Sequence, residues 1–234
     1  MSRYTVSLDG PEGKIELGFP SVTEIIDATY SKRGLEDWYY KQGVSGIALL
    51  MEKYGENLPN DVPSLHSLLK SEGFSPYSQR DSAADAGKAI HTAVKELTSG
   101  KTAKAKAHYP ALYSWWKERD FRRANILGAE QTLVSFKYRF AGTADLVYTE
   151  GGLVTLSDVK SGAVRDSHHL QLEGYRMAWE EMGGHPVDQL SIIQVPRDGS
   201  AVNETLVSVS EELSAAWMGM LAVYEWTKPR KRSV

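Results

Sequence analysis

The stretch Gly152–Tyr175, GLVTLSDVKSGAVRDSHHLQLEGY, decides the reading of this chain. Leu153, Val154 and Leu156 mark a core strand, and Asp158 and Lys160 follow on it. Side chains two residues apart on a strand point to the same side. A paired Asp and Lys near a sheet core is costly to bury, so the pair reads as functional rather than as a surface ion pair. The carboxylate can hold a metal ion while the ammonium faces a phosphate or an attacking water. The chain then turns helical, and Gln171 and Tyr175, four apart, share a helix face. The amide can hydrogen-bond the lysine or a phosphate, and the phenol can stack on a base or sugar. His168 and His169 start that helix pointing two ways and read as surface residues within reach of a phosphate.

Upstream, Ala141–Val147 reads as a strand joined to the Asp158 strand by a Gly-Gly turn. Such a hairpin brings Asp145 and Asp158 within reach of one cation, and two close carboxylates are usually reconciled by a divalent metal. The plainer alternative is that Asp145 ends its strand. His91 lies on an amphipathic helix, with Gly87 one turn earlier leaving room for a close approach. Glu130 is either a further acidic ligand or an exposed strand residue.

Around these residues the pattern is α+β. Tyr4–Leu8 and Lys14–Leu17 alternate about a Gly/Pro turn and predict a hairpin. Ser21 and Glu24 have capping-box spacing at a helix start. Helices are expected over Leu35–Tyr54, Leu65–Leu69, Asp81–Leu97 and Pro110–Phe121. Three antiparallel strands follow, over 127–136, 137–148 and 153–160. A helix over Ser167–Met182, strands over Leu190–Val195 and Glu204–Val209, and a helix over Glu211–Trp226 complete the chain. The 234 residues are read as a single domain, mainly helical over 1–125 and a sheet core with a closing helix over 126–234.

A 41% apolar content can build a core without staples, and the absence of cysteine excludes disulfides, zinc–thiolate sites and iron–sulfur clusters. No signal core or membrane-length apolar run is present. The net charge of −3 makes any nucleic-acid footprint local. Lys101–Arg123 and the tail from Lys228 to Arg232 are its candidate places, or else solvated surface.

Taken together the motifs resemble the PD-(D/E)xK nuclease superfamily, and within it the RecB-like exonucleases of phage recombination. Gly87–His91 is similar to GxxxH, Gly142–Asp145 to GxxD, Asp158-Val159-Lys160 to (D/E)xK, and Gln171–Tyr175 to QxxxY. Pro20–Thr23, with Leu35 and Trp38, resembles the start of phage-encoded members. The resemblance implies a restriction-endonuclease-like mixed sheet flanked by helices. It implies that His91, Asp145, Asp158 and the Val159 carbonyl hold Mg²⁺ or Mn²⁺, and that Asp158, Lys160 and Glu130 are catalytic. Gln171 and Tyr175 would bind DNA, as would Lys88 and Arg80. Many relatives carry an iron–sulfur cluster, which this chain cannot. The implied activity is a DNA exonuclease of recombination, repair or phage DNA processing, acting on single strands or duplex ends. It would work in a bacterial or phage-infected cytoplasm, away from membranes, with a single-strand annealing or binding protein as partner. The alternatives are an inactive DNA-binding accessory module and another metal-dependent hydrolase.

Overall fold

The computed structural model describes residues 3–10, 13–30, 33–119, 121 and 125–228. Its elements run β1 (Arg3–Gly10), β2 (Gly13–Pro20), α1 (Val22–Thr29), α2 (Arg33–Tyr54), α3 (Val62–Ser71), α4 (Pro76–Thr98), α5 (Ala103–His108) and α6 (Pro110–Glu118). Then come β3 (Ile126–Ser135), β4 (Phe140–Glu150), β5 (Leu153–Lys160), α7 (Asp166–Glu181), β6 (Gln189–Gln194), β7 (Asn203–Val207) and α8 (Glu211–Thr227). Strands β3 to β7 form one sheet in sequence order. Only β5 and β6 are parallel, and α7 supplies the crossover such a pair requires.

Local chemistry explains where these elements begin and turn. The Ser21 hydroxyl accepts the Glu24 amide at 2.9 Å and caps α1. Gly151 and Gly152, at φ +60° and +87°, make the two-residue turn between β4 and β5. Three expectations need correction. The strand expected from 137 starts at Phe140, because Phe136–Arg139 turns, with Arg139 at φ +60°. The helix expected from Asp81 starts at Pro76: Ser75 Oγ accepts the Ser78 amide at 3.0 Å, and a first-turn proline needs no amide partner. The helix expected to reach Phe121 stops at Glu118, and the preceding α5 was not expected at all.

The chain forms two compact units, one of Met1–Tyr30 with Ile90–Val234 and one of Ser31–Ala89. In the second, a Cβ on Gly46 would meet the Phe74 carbonyl oxygen at 2.3 Å. The glycine that weakens α2 as a helix is therefore where another backbone presses against it.

The first unit holds the sheet. On one face α1, α7 and α8 bury Ile25, Leu172 and Trp217 against Phe140, Leu156 and Leu190. On the other, Ile90 to Leu97 of α4, with α5 and α6, cover Leu146, Tyr148, Val159 and Ile193. Each fully buried side chain of this size contributes about 1.5–3 kcal/mol. The alternation along β5 thus puts Val159 in one core and leaves Asp158 and Lys160 toward α7. The β1–β2 hairpin joins β4 beyond the end of β5, through the Ser21–Ala141 bridge and a 2.9 Å contact of Tyr4 Oη with Thr143 Oγ1.

Candidate functional site

Pairing of β4 with β5 stops at Leu146 and Ser157, so Asp145 and Asp158 take the next position in register. A side chain replaces the ladder there: the Val159 amide donates to Asp145 Oδ2 at 2.6 Å. The other oxygen, Oδ1, lies 3.0 Å from His91 Nδ1, and Glu130 Oε1 lies 3.5 Å from the same nitrogen. Ligand atoms of His91, Glu130 and Asp145 all fall within 4.8 Å of one another. Glu130 stands level with Asp145, between the pairs Ala129–Leu146 and Gln131–Ala144, at φ +49°. A non-glycine residue held there carries local strain, which the surrounding sheet sustains.

Asp158 is almost wholly buried, and Lys160 Nζ lies 2.6 Å from its Oδ2. The ammonium is thus the partner of that buried oxygen. Lys160 Nζ also donates to Gln171 Oε1 at 3.1 Å, and Gln171 Nε2 donates to the Tyr175 oxygen at 2.6 Å. The four-residue spacing expected to put Gln171 and Tyr175 on one face does so. Gly142 lets the row close: a Cβ there would meet the Tyr175 ring at 2.4 Å.

Electrostatics separate the two halves of the site. Burial pushes the His91 imidazole down, but hydrogen bonds to Asp145 and Glu130, and the charges of Asp145 and Asp158, outweigh it and raise it to about 10. Burial pushes the Asp158 carboxyl up; Lys160 opposes this and Asp145 reinforces it. Burial also holds the Tyr175 phenol well above its usual range, so it stays protonated. The carboxylate cluster therefore keeps a proton on its imidazole to balance its charge. A histidine with two carboxylates whose ligand atoms lie within 4.8 Å of one another, and a third carboxylate buried beside them, is a donor set that fits a divalent cation.

Within the first unit the structure gathers His91, Glu130 and Asp145, and beside them Asp158, Lys160, Gln171 and Tyr175. Arg80 and Lys88 belong to the second unit, where they pair with Asp81 and Asp85. In the basic stretch, Arg119 is bound to Glu150 and Glu204 and stacks on Trp115, while Arg122 and Arg123 lie outside the described residues. The tail residues Arg230, Lys231 and Arg232 lie outside them as well. Two features were missed. His168 is half-buried rather than a surface residue, and Thr143 is held by Tyr4. Neither an adjacent histidine pair at a helix start nor a tyrosine well over a hundred residues upstream shows how deep such a side chain will lie.

A model of the PD-(D/E)XK nuclease superfamily matches residues 104–221, just over half of the chain. The match takes in Glu130, Asp145, Asp158, Lys160, Gln171 and Tyr175, whereas His91 precedes it. Among solved structures, one from Eubacterium rectale described as "Putative exonuclease" is similar at 11% identity and a TM-score of 0.37. The likeness covers 59% of this chain and 64% of that one, less than two thirds of its length. No curated protein matches the sequence.

Proposed function

The chain belongs to the PD-(D/E)XK nuclease superfamily, and from that membership we propose that it is a divalent-metal-dependent DNA exonuclease of the RecB-like type. The observation that supports this best is the juxtaposition of the His91–Glu130–Asp145 cluster with the Asp158–Lys160–Gln171 row, joined by the bond from Val159 N–H to Asp145. His91, Asp145 and Asp158 would hold Mg²⁺ or Mn²⁺, together with the Val159 carbonyl. Glu130, level with Asp145, would share in the same acidic site. When bound, such an ion lowers the pKa of a water and neutralises phosphate charge.

The chain's own residues do the rest. Lys160 presents a compact positive charge where the transition state gains negative charge, and orients the attacking water. Gln171 accepts from that ammonium and fixes its direction, and Tyr175, locked against Gly142, fixes Gln171. Asp145 spends one oxygen on the β5 backbone, which sets the height of Asp158 beside it. Gln171 and Tyr175, expected to touch DNA, are buried behind Lys160 and would act on the strand through that lysine; Arg80 and Lys88, in the second unit, would contact DNA in their own right. Work in recombination, repair or phage DNA processing, beside a single-strand annealing or binding protein in a bacterial or infected-host cytoplasm, follows from the RecB-like reading. Among the described residues no helix is long and apolar enough to cross a membrane.

A time course on single- and double-stranded DNA, labelled separately at each end, tests the exonuclease assignment. We expect nucleotides or short fragments to be released from one end, with intact internal sequence behind them. Random internal products on a circular substrate would make it an endonuclease.

A further inference from the structure

His168, read from the sequence only as a surface residue within reach of a phosphate, has no part in the site as described so far. It lies three residues before Gln171 and seven before Tyr175, so the three form one stripe along α7. The stripe rises from the core: Tyr175 and Gln171 are buried, and His168 is half-buried at the helix start. Its middle member touches Lys160, so His168 sits one turn outward on the face that addresses the lysine. The ring is held from behind, because the Arg165 amide donates to His168 Nδ1 at 3.2 Å. A neutral imidazole that accepts at Nδ1 carries its proton on Nε2. That N–H meets no acceptor among the described residues. Burial first, then the Lys160 ammonium, pushes the ring down to about 4, so it stays neutral at physiological pH.

We propose that His168 is a further substrate-contacting residue, whose Nε2–H donates to a non-bridging phosphate oxygen of the strand lying at Lys160. The proposal rests on the nuclease reading. A phosphate at Lys160 already meets a full positive charge; a neutral donor beside it fixes its orientation without adding a second cation to the buried Asp158–Lys160 pair. The acceptor on the substrate is the phosphate, not a base, so the contact is independent of sequence.

The test compares wild type, His168→Ala, His168→Gln and Lys160→Ala on an end-labelled oligonucleotide with Mn²⁺. One substrate is all-oxygen, and two carry a single phosphorothioate of either configuration. A lost hydrogen bond to a charged group predicts that His168→Ala lowers kcat/KM by about 10- to 100-fold. His168→Gln, which can place an amide N–H near the lost one, should recover most of it. In His168→Ala the penalty for sulfur in one configuration should shrink, which a merely structural role would not produce. Circular dichroism and the thermal midpoint verify that the variants fold. A folded His168→Ala protein with wild-type kcat/KM, or with the full sulfur penalty, overturns the proposal while leaving the nuclease reading intact, provided Lys160→Ala is inactive. A wild-type protein that cleaves none of the substrates overturns both.

Discussion

At the scale of single residues, the site divides into the His91–Glu130–Asp145 cluster and the Asp158–Lys160–Gln171 row; if they hold a cation and face a phosphate, as proposed, substitutions should separate them. Removing the Asp158 carboxylate should lower cleavage by about a thousandfold, the order expected for losing a ligand of the ion that stabilises transition-state charge. DNA binding, followed by fluorescence anisotropy, should persist. Lys160→Ala should be as inactive yet bind metal like wild type in calorimetry, because its ammonium is not a ligand. Gln171→Ala should cost only about tenfold in rate, since it orients the lysine rather than replacing it. The His91 shift carries a pH signature. Its imidazole, raised to about 10 in the metal-free fold, contributes stability that is fully present below its unfolded value of about 6.5. That contribution is lost as pH rises through about 10. The upward shift of buried Asp158 has the same sign, since its ionised form is disfavoured by folding. Urea unfolding in EDTA should therefore show stability declining from pH 6.5 to 10. Metal affinity should rise over the same window, as the proton on His91 is displaced. A flat profile in both would count against the cluster as drawn.

At the scale of elements, α7 aligns Gln171 and Tyr175 on Lys160, and its anchor is a buried ion pair. Glu173 is fully buried; Arg176 Nε and Nη2 donate to its two oxygens at 2.8 and 2.6 Å, and Ser214 Oγ of α8 adds a bond of 2.6 Å. Arg176→Ala strands that carboxylate and should cost about 3–5 kcal/mol in urea unfolding. Gly142→Ala drives a methyl into the Tyr175 ring and should cost about 1–3 kcal/mol, with a loss of cleavage larger than the loss of folded protein. Much of this level was legible in the sequence. Ser21 with Glu24, Gly151-Gly152, and the apolar alternation of β5 each carry their own local chemistry. The parts not legible lacked such chemistry. Phe136–Arg139 turns through a left-handed arginine, so its Phe and Tyr read as strand. Helix α5, KTAKAKAH with its neighbours, has neither an apolar period nor a side-chain cap at Thr102. The first turn of α4 is polar, so the helix becomes visible only from Asp81. In the site, motif order placed His91, Asp145, Asp158, Lys160 and Gln171. The approach of Glu130 to His91 depends on a positive φ, which sequence does not display, and the depth of His168 depends on how α7 docks.

At the scale of the whole molecule, the sheet acts as a frame that brings four chain segments to the end of β5, and a bound ion should tie them together. A ligand that binds only the folded state stabilises it by about 2.7 kcal/mol at one hundred times its dissociation constant. For a chain of this size that is a rise in Tm of about 5–10 °C. Mn²⁺ should produce it in wild type, and Asp145→Ala should abolish it, because one substitution removes both a ligand and the β5 tether. Assembly of the site by distant segments also explains why no segment alone announces it. The Asp158–Lys160 pair means little until β4 sets Asp145 beside it and α7 sets Gln171 above it. The most direct test is cleavage of end-labelled DNA by wild type and Asp158→Ala in Mg²⁺, in Mn²⁺ and in EDTA. We predict cleavage by wild type with either metal, none in EDTA, and a rate about a thousandfold lower for Asp158→Ala with either metal. Undiminished cleavage by Asp158→Ala, or by wild type in EDTA, would contradict a metal-dependent site at the end of β5.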